Sequence, residues 1–591
     1  MSKFAIREFL PEQARLLLDL VRWVPLCALV GVMAGTASAL LLVSLTFATN
    51  MREAHRWLIL LLAPAGWVVG LVYKHFGSSV EAGNNLILEE THDPRAVIPI
   101  RMTPLILLGT FITHLFGGSA GREGTAIQTG ASLADQLTRP FRLGPRERRI
   151  LLMAGISAGF GSVFGTPLAG AVFGIEVLAI GKLSYDAIAP CFLASFVGDL
   201  VIHAWGVKHT QYPVSFVPPL SVVGLLSAMA AGVAFGLVAM AFAKTTHAVS
   251  HVARRYIARS ELRPVVGGLL VTVAVFALGT TKYIGLGIPT ILASFKSVVA
   301  PWDFFGKALF TSVTLGTGFK GGEVTPLFYI GSTLGNALSR ILPLPASLLA
   351  AMGFVGVFAG AANTPIASTL MAVELFGPEA GAYAAIASVV SYLCSGHSGI
   401  YHAQRVGKSK HIGASAEEGM SLALVTKIRA ASSSNDLLDK FNQFGYLEGT
   451  DMNELTVLRL YFSASEMRRA DSWWKRLAPE SLGGYLLRQA KELGFEQALL
   501  HRVIGGFLKN QDLVMDTGEI PPARLPQCLE LVGEEEDLQS FLKHNRDHLV
   551  KVRTVFLRGE EARYEAAIER DELETALDME SSEQFRSLDK D

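Results

Sequence analysis

Cysteine is scarce in this sequence, a net charge is missing, and over two thirds of its length charge of either sign is thin. The four cysteines, Cys27, Cys191, Cys394 and Cys528, are scattered without close spacing, so neither a disulfide framework nor a zinc pattern is visible. Three of them lie in apolar segments, where Cys behaves as a small buried hydrophobe. Lys+Arg and Asp+Glu each number 52 in 591 residues, a balance that argues against a nucleic-acid binder. Residues 1–20 carry Lys3, Arg7, Glu8, Glu12, Arg15 and Asp19. They lack an early apolar core with a small-residue cleavage site, so no cleaved signal peptide is expected. Residues 401–591 hold 25 basic and 33 acidic side chains, leaving 27 and 19 for the first 400. That is about 30% charged against about 12%, where soluble domains run near 25%. The first 400 residues therefore read as a polytopic membrane domain, with a soluble domain behind it.

A bilayer-spanning helix needs about 20 apolar residues. Residues 27–48 and stretches within 150–180, 187–205, 218–243 and 264–278 supply such runs, while 57–73, 104–117, 304–318 and 346–358 are shorter. Many are interrupted by Gly or Pro. Short, broken helices are tolerated in a membrane where the freed backbone is buried in protein or lines a cavity, and in transporters such half-helices end near the substrate site.

The sequence also repeats itself. Gly118, Gly121, Glu123 and Thr125 match Gly318, Gly321, Glu323 and Thr325 at an offset of 200. After one inserted residue, 130–139 aligns with 331–340; Thr166-Pro167 matches Thr364-Pro365, and Glu176 matches Glu374. Ordered repeats in a membrane protein indicate two related halves enclosing one site. Their spacing leaves open whether the halves are parallel or inverted.

Beyond about residue 405 the composition becomes soluble. Residues 411–453 read as linker plus a short helix. Strands are expected over 456–462, 497–507, 527–532 and 550–556, with helices over 482–493 and 534–544. This βαββαβ order is the split β-α-β arrangement of ferredoxin-like domains. Residues 560–591 are acidic and polar, a solvated helix or tail.

The strongest chemical signal is the glycine-rich string at 117–126 opening an apolar helix. A helix N-terminus carries unsatisfied N–H donors and a positive dipole end, and so favours an anion. Glu123 stands in that turn. Its carboxylate can occupy the anion position and leave it when protonated, which makes one group both a gate and a proton carrier. The structural alternative is a Glu that stabilises its own helix terminus, with Arg122 as a neighbouring charge. An ionisable residue inside a membrane segment is a functional hypothesis by default, and the repeat mate Glu323 strengthens it. Glu176 and Glu374 are expected to be structural partners for buried backbone. His114, His397 and His402 are read as hydrogen-bonded structural residues, and Arg139, Arg142, Arg146, Arg148 and Arg149 as a basic loop that favours a cytoplasmic placement.

Gly121-Arg-Glu-Gly-Thr125 resembles the G-R/K-E-G-P motif of the CLC anion channels and anion/proton antiporters. Residues 321–326 lie where that family's G-x-F-x-P motif belongs, 165–176 resemble the helix that follows the first motif, and Ser398-Gly-Ile-Tyr401 resembles the segment whose tyrosine hydroxyl touches the inner anion. The resemblance covers about 21–404 and implies a homodimer, one anion pathway per subunit, and both termini cytoplasmic. Several departures resemble the fluoride/proton antiporter branch. Asn84 stands where a serine usually meets the anion, Thr125 replaces proline, Glu323 and Thr325 replace less polar residues, and Val177 takes the place of an inner proton-transfer glutamate. Residues 456–462, 486–494 and 501–507 are similar to PII-like ferredoxin-fold proteins, which often sense nucleotides or other small ligands. Arg502, Gly505 and Gly506 could touch an anion there, though a strand-end turn also explains the glycines.

The expected protein is thus an all-α polytopic membrane protein of internally repeated, broken helices plus a soluble α+β ferredoxin-like domain. Its parts are a cytoplasmic N-terminal segment (1–20), a CLC-type transport domain (21–404), a linker (405–453), a PII-like domain (454–558) and an acidic tail (559–591). The resemblance implies fluoride export from the cell in exchange for protons, with no enzymatic activity, no cofactor and no metal. Glu123 would be the gate and proton carrier, Asn84, Gly124, Thr125, Val324, Thr325 and Tyr401 the anion contacts, and Glu323 an accessory proton or polar residue. Asn84 could instead cap a helix, and Tyr401 could be an interfacial aromatic. The competing readings are a chloride/proton exchanger or chloride channel and, from another class, a membrane sensor with vestigial transport. The retained Glu123 argues against the sensor.

Overall fold

The computed structural model describes residues 12–411, 417–432, 452–463, 481–495, 497–502, 505–506, 514–515, 526–550 and 552–562. The chain divides into two units, Met1–Ser434 and Asn435–Asp591. Among the described residues of the first unit, five helical stretches are long and apolar enough to cross a bilayer, and others are short apolar helices.

The first half of this unit runs α1 (Glu12–Ala54), α2 (Leu62–Val72), α3 (Asn84–His92), α4 (Met102–Leu115), α5 (Glu123–Asp135), α6 (Pro145–Phe164), α7 (Pro167–Glu176) and α8 (Ile188–Ala204). The second half repeats it element for element: α9 (Val222–Tyr256), α10 (Arg263–Leu278), α11 (Ile288–Lys296), α12 (Asp303–Gly316), α13 (Val324–Leu338), α14 (Ala346–Ala362), α15 (Pro365–Phe376) and α16 (Pro378–Cys394). The run expected over 150–180 is two helices. Gly165 takes a left-handed conformation at the end of α6, and Pro167 opens α7. The second half uses the same punctuation, with Asn363 left-handed at the end of α14 and Pro365 opening α15. A left-handed residue ends a helix by ready capping geometry, and Pro fits the first helical position because its missing N–H is not needed there.

The halves are joined by reciprocal bonds. Glu374 accepts from the backbone N–H groups of Leu168 (2.9 Å) and Ala169 (2.8 Å) at the start of α7. Glu176, at the end of α7, accepts from Ile366 (3.0 Å) and Ala367 (2.8 Å) at the start of α15. Each carboxylate serves the other half's helix N-terminus, the structural role expected for the pair. Glycine brings the helices within each half into backbone contact. A Cβ on Gly331 would lie 1.9 Å from the carbonyl oxygen of Gly353, and one on Gly335 the same distance from that of Leu349. Gly130 and Gly159 play the same part between α5 and α6.

The membrane unit continues past 404. Part of the expected linker is folded onto it: β1 (Ala179–Ile180) pairs in parallel with β2 (Arg405–Val406), and α17 (Leu422–Ser432) follows. Ile180, Val406, Leu422 and Val425 form a small buried cluster. The Lys410 ammonium donates to Asn363 Oδ1 and to the Tyr392 carbonyl, each at 2.6 Å, and burial pushes this amine down to about 7.

The second unit holds β3 (Met452–Ser463), α18 (Leu482–Glu492), β4 (Gln497–Arg502), β5 (Gly505–Gly506), β6 (Val514–Met515), β7 (Pro526–Gly533), α19 (Glu535–His544) and β8 (Arg553–Ala562). The main sheet has the order β4-β7-β3-β8, with every neighbouring pair antiparallel. That is the ferredoxin-like arrangement expected from the element order. Leu458, Leu460 and Phe462 pack against Leu482, Leu486, Leu538 and Phe541. The last strand starts later than expected and runs into the segment assigned to the acidic tail. Residues 1–11 of the expected N-terminal segment and 563–591 of the tail lie outside the described residues.

Replacing Glu374 with Ala leaves two part-buried helix-terminal N–H groups without their acceptor. At about 1–3 kcal/mol for each unsatisfied group, the thermal midpoint in detergent should drop by several degrees. Glu374→Gln, which keeps one carbonyl oxygen, should recover part of the loss in the same melting experiment.

Candidate anion and proton site

The N-termini of α5 and α13 converge inside the membrane unit. Gly121 N–H donates to the Gly322 carbonyl (2.6 Å), and Gly322 N–H donates back to the Gly121 carbonyl (2.9 Å). This two-fold pair joins the two halves at the repeated glycine motif. Gly321, at φ 154°, holds a conformation that favours glycine.

Glu123 is fully buried at this junction. Its carboxylate crosses to the other half, accepting from Thr325 N–H (2.9 Å) and from the Thr325 hydroxyl (2.6 Å to Oε1). On its own side the Arg122 backbone N–H (3.2 Å) and Nε (3.3 Å) donate to it. A negative oxygen pair therefore sits on the N-terminal donors of α13, as the physics of helix termini favours.

Two chambers reach this junction through residues beside Glu123, which itself lines neither. Arg122 lines one of about 480 Å³, together with Arg52, Glu53 and Lys282. Asn84, Glu323 and Tyr401 line the other, of about 140 Å³, with Gln128, Tyr73 and Lys320. Asn84 opens α3 after Gly83, whose φ is 58°, and its amide nitrogen lies beside Gly124: a Cβ there would come within 3.1 Å of it. Asn84 Oδ1 and Tyr401 Oη are buried without a hydrogen-bond partner among the described residues. Unpaired buried polar atoms cost free energy, so these two mark a place where further bonding is needed: the amide oxygen accepts and calls for a donor such as water, while the Tyr401 hydroxyl can donate to an anion.

The expected contacts are not equivalent. The Thr125 hydroxyl is shared with that of Thr110 (2.7 Å). Thr325 is occupied by Glu123. Val324 is fully buried at the first position of α13, and Gly124 lies in the first turn of α5. Glu323 does not mirror its repeat mate: it lines the smaller chamber, whereas Glu123 reaches across to Thr325. Val177 lines an apolar gap of about 10 Å³ with Phe173, Ile127, Asn84 and Tyr401, the lower limit for a single water.

Sequence reasoning passed over Gln128 and Lys320, although Lys320 sits inside the second glycine motif. The other groups singled out are structural. His114 lies between the carbonyls of Thr110 (2.8 Å) and Ala120 (3.1 Å), His397 bonds Glu417, and His402 lies against His247, the rings tilted by 40° with centroids 3.7 Å apart. Arg148 leaves the basic loop for the interior, pairing with Asp135 (2.7 Å) and Glu90 (2.9 Å). Among the described residues no cluster of His, Cys, Asp and Glu could hold a metal ion.

Broken apolar helices in two repeated halves, meeting at buried helix N-termini, define a multi-pass membrane protein of the ion-transport class. A family model for voltage gated chloride channels matches residues 65–396, and the chain belongs to that family. It is 58% identical over 417 residues to a chloride/fluoride channel protein of Pseudomonas syringae pv. tomato, covering 70% of this chain and 91% of that protein. Among solved structures it is similar to a CLC-type fluoride/proton antiporter, with a TM-score of 0.64 and 34% identity over 66% of this chain and 99% of the other. A slow cyanobacterial Cl⁻/H⁺ antiporter, at 17% identity and a TM-score of 0.58, covering 70% of this chain and 99% of that one, shares the fold. Proteins of this family are ion transporters or channels rather than enzymes.

Hydrogen bonds to a charged group contribute about 1.5–3 kcal/mol. Thr325→Val keeps the amide donor to Glu123 and removes the hydroxyl, so it should lower the unfolding midpoint. In a Glu123→Ala background the same change should do much less. A double-mutant cycle on the melting curves, with coupling near zero, would show that the contact contributes nothing.

Proposed function

We propose that this protein is a secondary active fluoride/proton antiporter that exports fluoride, with Glu123 as gate and proton carrier. The observation that carries this reading is the Glu123 carboxylate on the α13 N-terminus, with Arg122, which bonds it, at the wall of one chamber and Asn84, beside Gly124, at the wall of another. A carboxylate there stands in for an anion. Protonation removes its charge and weakens its hold on the donors, so the side chain yields the position and takes a proton with it. Asn84 and Tyr401 supply an amide and a hydroxyl to an anion in the smaller chamber, with Glu323 at its wall as a further proton or polar group. The backbone at Gly124, Thr125, Val324 and Thr325 forms the polar environment of the two termini.

Fluoride suits this lining. It is small, strongly hydrated and a good acceptor, so it needs donors in place of water. Its conjugate acid is weak, which makes exchange with protons chemically natural. The likeness to a fluoride/proton antiporter structure and the Asn at position 84 support the same assignment. A chloride/proton exchanger or chloride channel is the second reading, favoured by the chloride in the name of the Pseudomonas relative. We further assign the protein to the cell membrane as a homodimer with both termini cytoplasmic. The ferredoxin-like unit is assigned as a PII-like regulatory domain for a small ligand.

Efflux from liposomes, comparing fluoride with chloride while recording pH, separates these readings. Glu123→Gln should abolish proton movement driven by a fluoride gradient, because an amide cannot titrate; persistent proton uptake in that variant would defeat the assignment of Glu123.

Asn84→Ser should weaken discrimination against chloride. A serine hydroxyl reaches less far into the chamber, and one hydrogen bond to a charged ligand is worth about 1.5–3 kcal/mol, about tenfold or more in relative affinity. Water entering the freed space makes the lower end the expected size. An unchanged fluoride-to-chloride ratio, in protein that still melts like the parent, would remove Asn84 from the contacts that set selectivity; it is not a helix cap, since Gly83 holds that position and Asn84 makes no side-chain cap bond.

A further inference from the structure

The chamber holding Asn84 and Tyr401 adjoins a second one of about 180 Å³, whose walls include Lys74, Arg254, Arg263 and Thr317. The two share Tyr73, Glu81, Leu315, Phe319 and Lys320, so these five form the partition. Lys320 is the one cation common to both linings. On the inner side it is the sole cationic lining residue, against Glu81 and Glu323.

Three other lysines near these chambers or in the same half are satisfied by oxygen. Lys307 donates to the carbonyls of Tyr283 (3.1 Å) and Gly285 (2.6 Å), Lys282 pairs with Asp303 (2.9 Å), and Lys74 with Glu261 (2.8 Å). Lys320 rests on the ring of Tyr73, its ammonium 4.0 Å from the centroid, and among the described residues no carboxylate lies within ion-pair distance of it. A ring face attracts a cation through its quadrupole and leaves ammonium N–H donors unspent. The lysine stem is held in place, since a Cβ on Gly109 would lie 2.9 Å from Lys320 Cβ. The ring is held too, since a Cβ on Gly77 would lie 2.7 Å from Tyr73 Cδ1.

From this geometry we propose that Lys320, seated on Tyr73, forms a second anion position, through which a small halide passes from the basic chamber to the one containing Asn84 and Tyr401. The proposal rests on the reading of this unit as an anion transporter. A halide moving inward meets two carboxylates. A fixed cation at the partition offsets them and offers N–H donors for the water the ion sheds. Cationic narrows of this kind raise local anion concentration and capture by about tenfold or more.

The test is fluoride efflux from liposomes over a range of internal fluoride. Lys320→Met should raise the half-saturating concentration about tenfold and leave the fluoride-to-proton ratio unchanged, whereas Lys320→Arg should stay near the parent. Lys320→Cys should behave like the Met variant until treated with 2-aminoethyl methanethiosulfonate, which rebuilds an ammonium on a stem close to lysine's length. The sulfonatoethyl reagent should slow it further, and the parent, with its four native cysteines, serves as the control for both reagents. An unchanged half-saturation in the Met variant, or equal effects of the two reagents on the Cys variant, would overturn the proposal and leave Lys320 as packing against Gly109. If the parent protein moves neither fluoride nor chloride, the transporter reading itself falls, whatever the variants do.

Discussion

Two helix N-termini brought face to face in a buried interior leave backbone N–H groups that must be satisfied. Most of the membrane unit follows from how this is done. The glycine motifs let the strands of chain at 121 and 322 approach closely enough to bond each other twice. One carboxylate, Glu123, then satisfies the amide and hydroxyl of Thr325 across the junction. An apolar residue at 123 would leave those donors bare, and a fixed cation would oppose the dipoles of both helices.

The same solution recurs at the second crossing of the halves, where Glu176 and Glu374 exchange places over the starts of α15 and α7. The two sites differ in what surrounds them. Glu176 and Glu374 each bond two successive backbone amides in a matched, reciprocal pair. Glu123 has no reciprocal partner: its repeat mate Glu323 lines a chamber. Symmetry holds the frame, and its breach at 123 and 323 is where the chambers lie.

Much of this was legible in the sequence because it rests on local rules. The repeat, with its matched Thr-Pro pairs, and the split β-α-β order each have a short-range signature, and the structure contains both. The pairing of Glu176 and Glu374 with backbone was readable from their repeat positions. Other features were hidden because they depend on distant packing. Thr125 looked free to face an anion, but Thr110 on α4 takes its hydroxyl. Arg148 looked like one more surface charge, but Asp135 and Glu90 draw it inside. The segment after 404 has a soluble composition, yet β2 and α17 fold back onto the membrane unit. Nothing in local composition reports a parallel pairing between residues more than 200 positions apart.

Glycine contact between helices limits what this scaffold can do mechanically. Where a carbonyl lies 1.9 Å from the place a Cβ would occupy, as at Gly331 and Gly335, neighbouring helices cannot slide by one residue without driving a side chain into backbone. Close-packed interiors resist such strain. The contacts act as detents within each half, while the bridge at Gly121 and Gly322 ties one half to the other. What remains free to move on a small energy scale is the rotation of individual side chains about their own bonds.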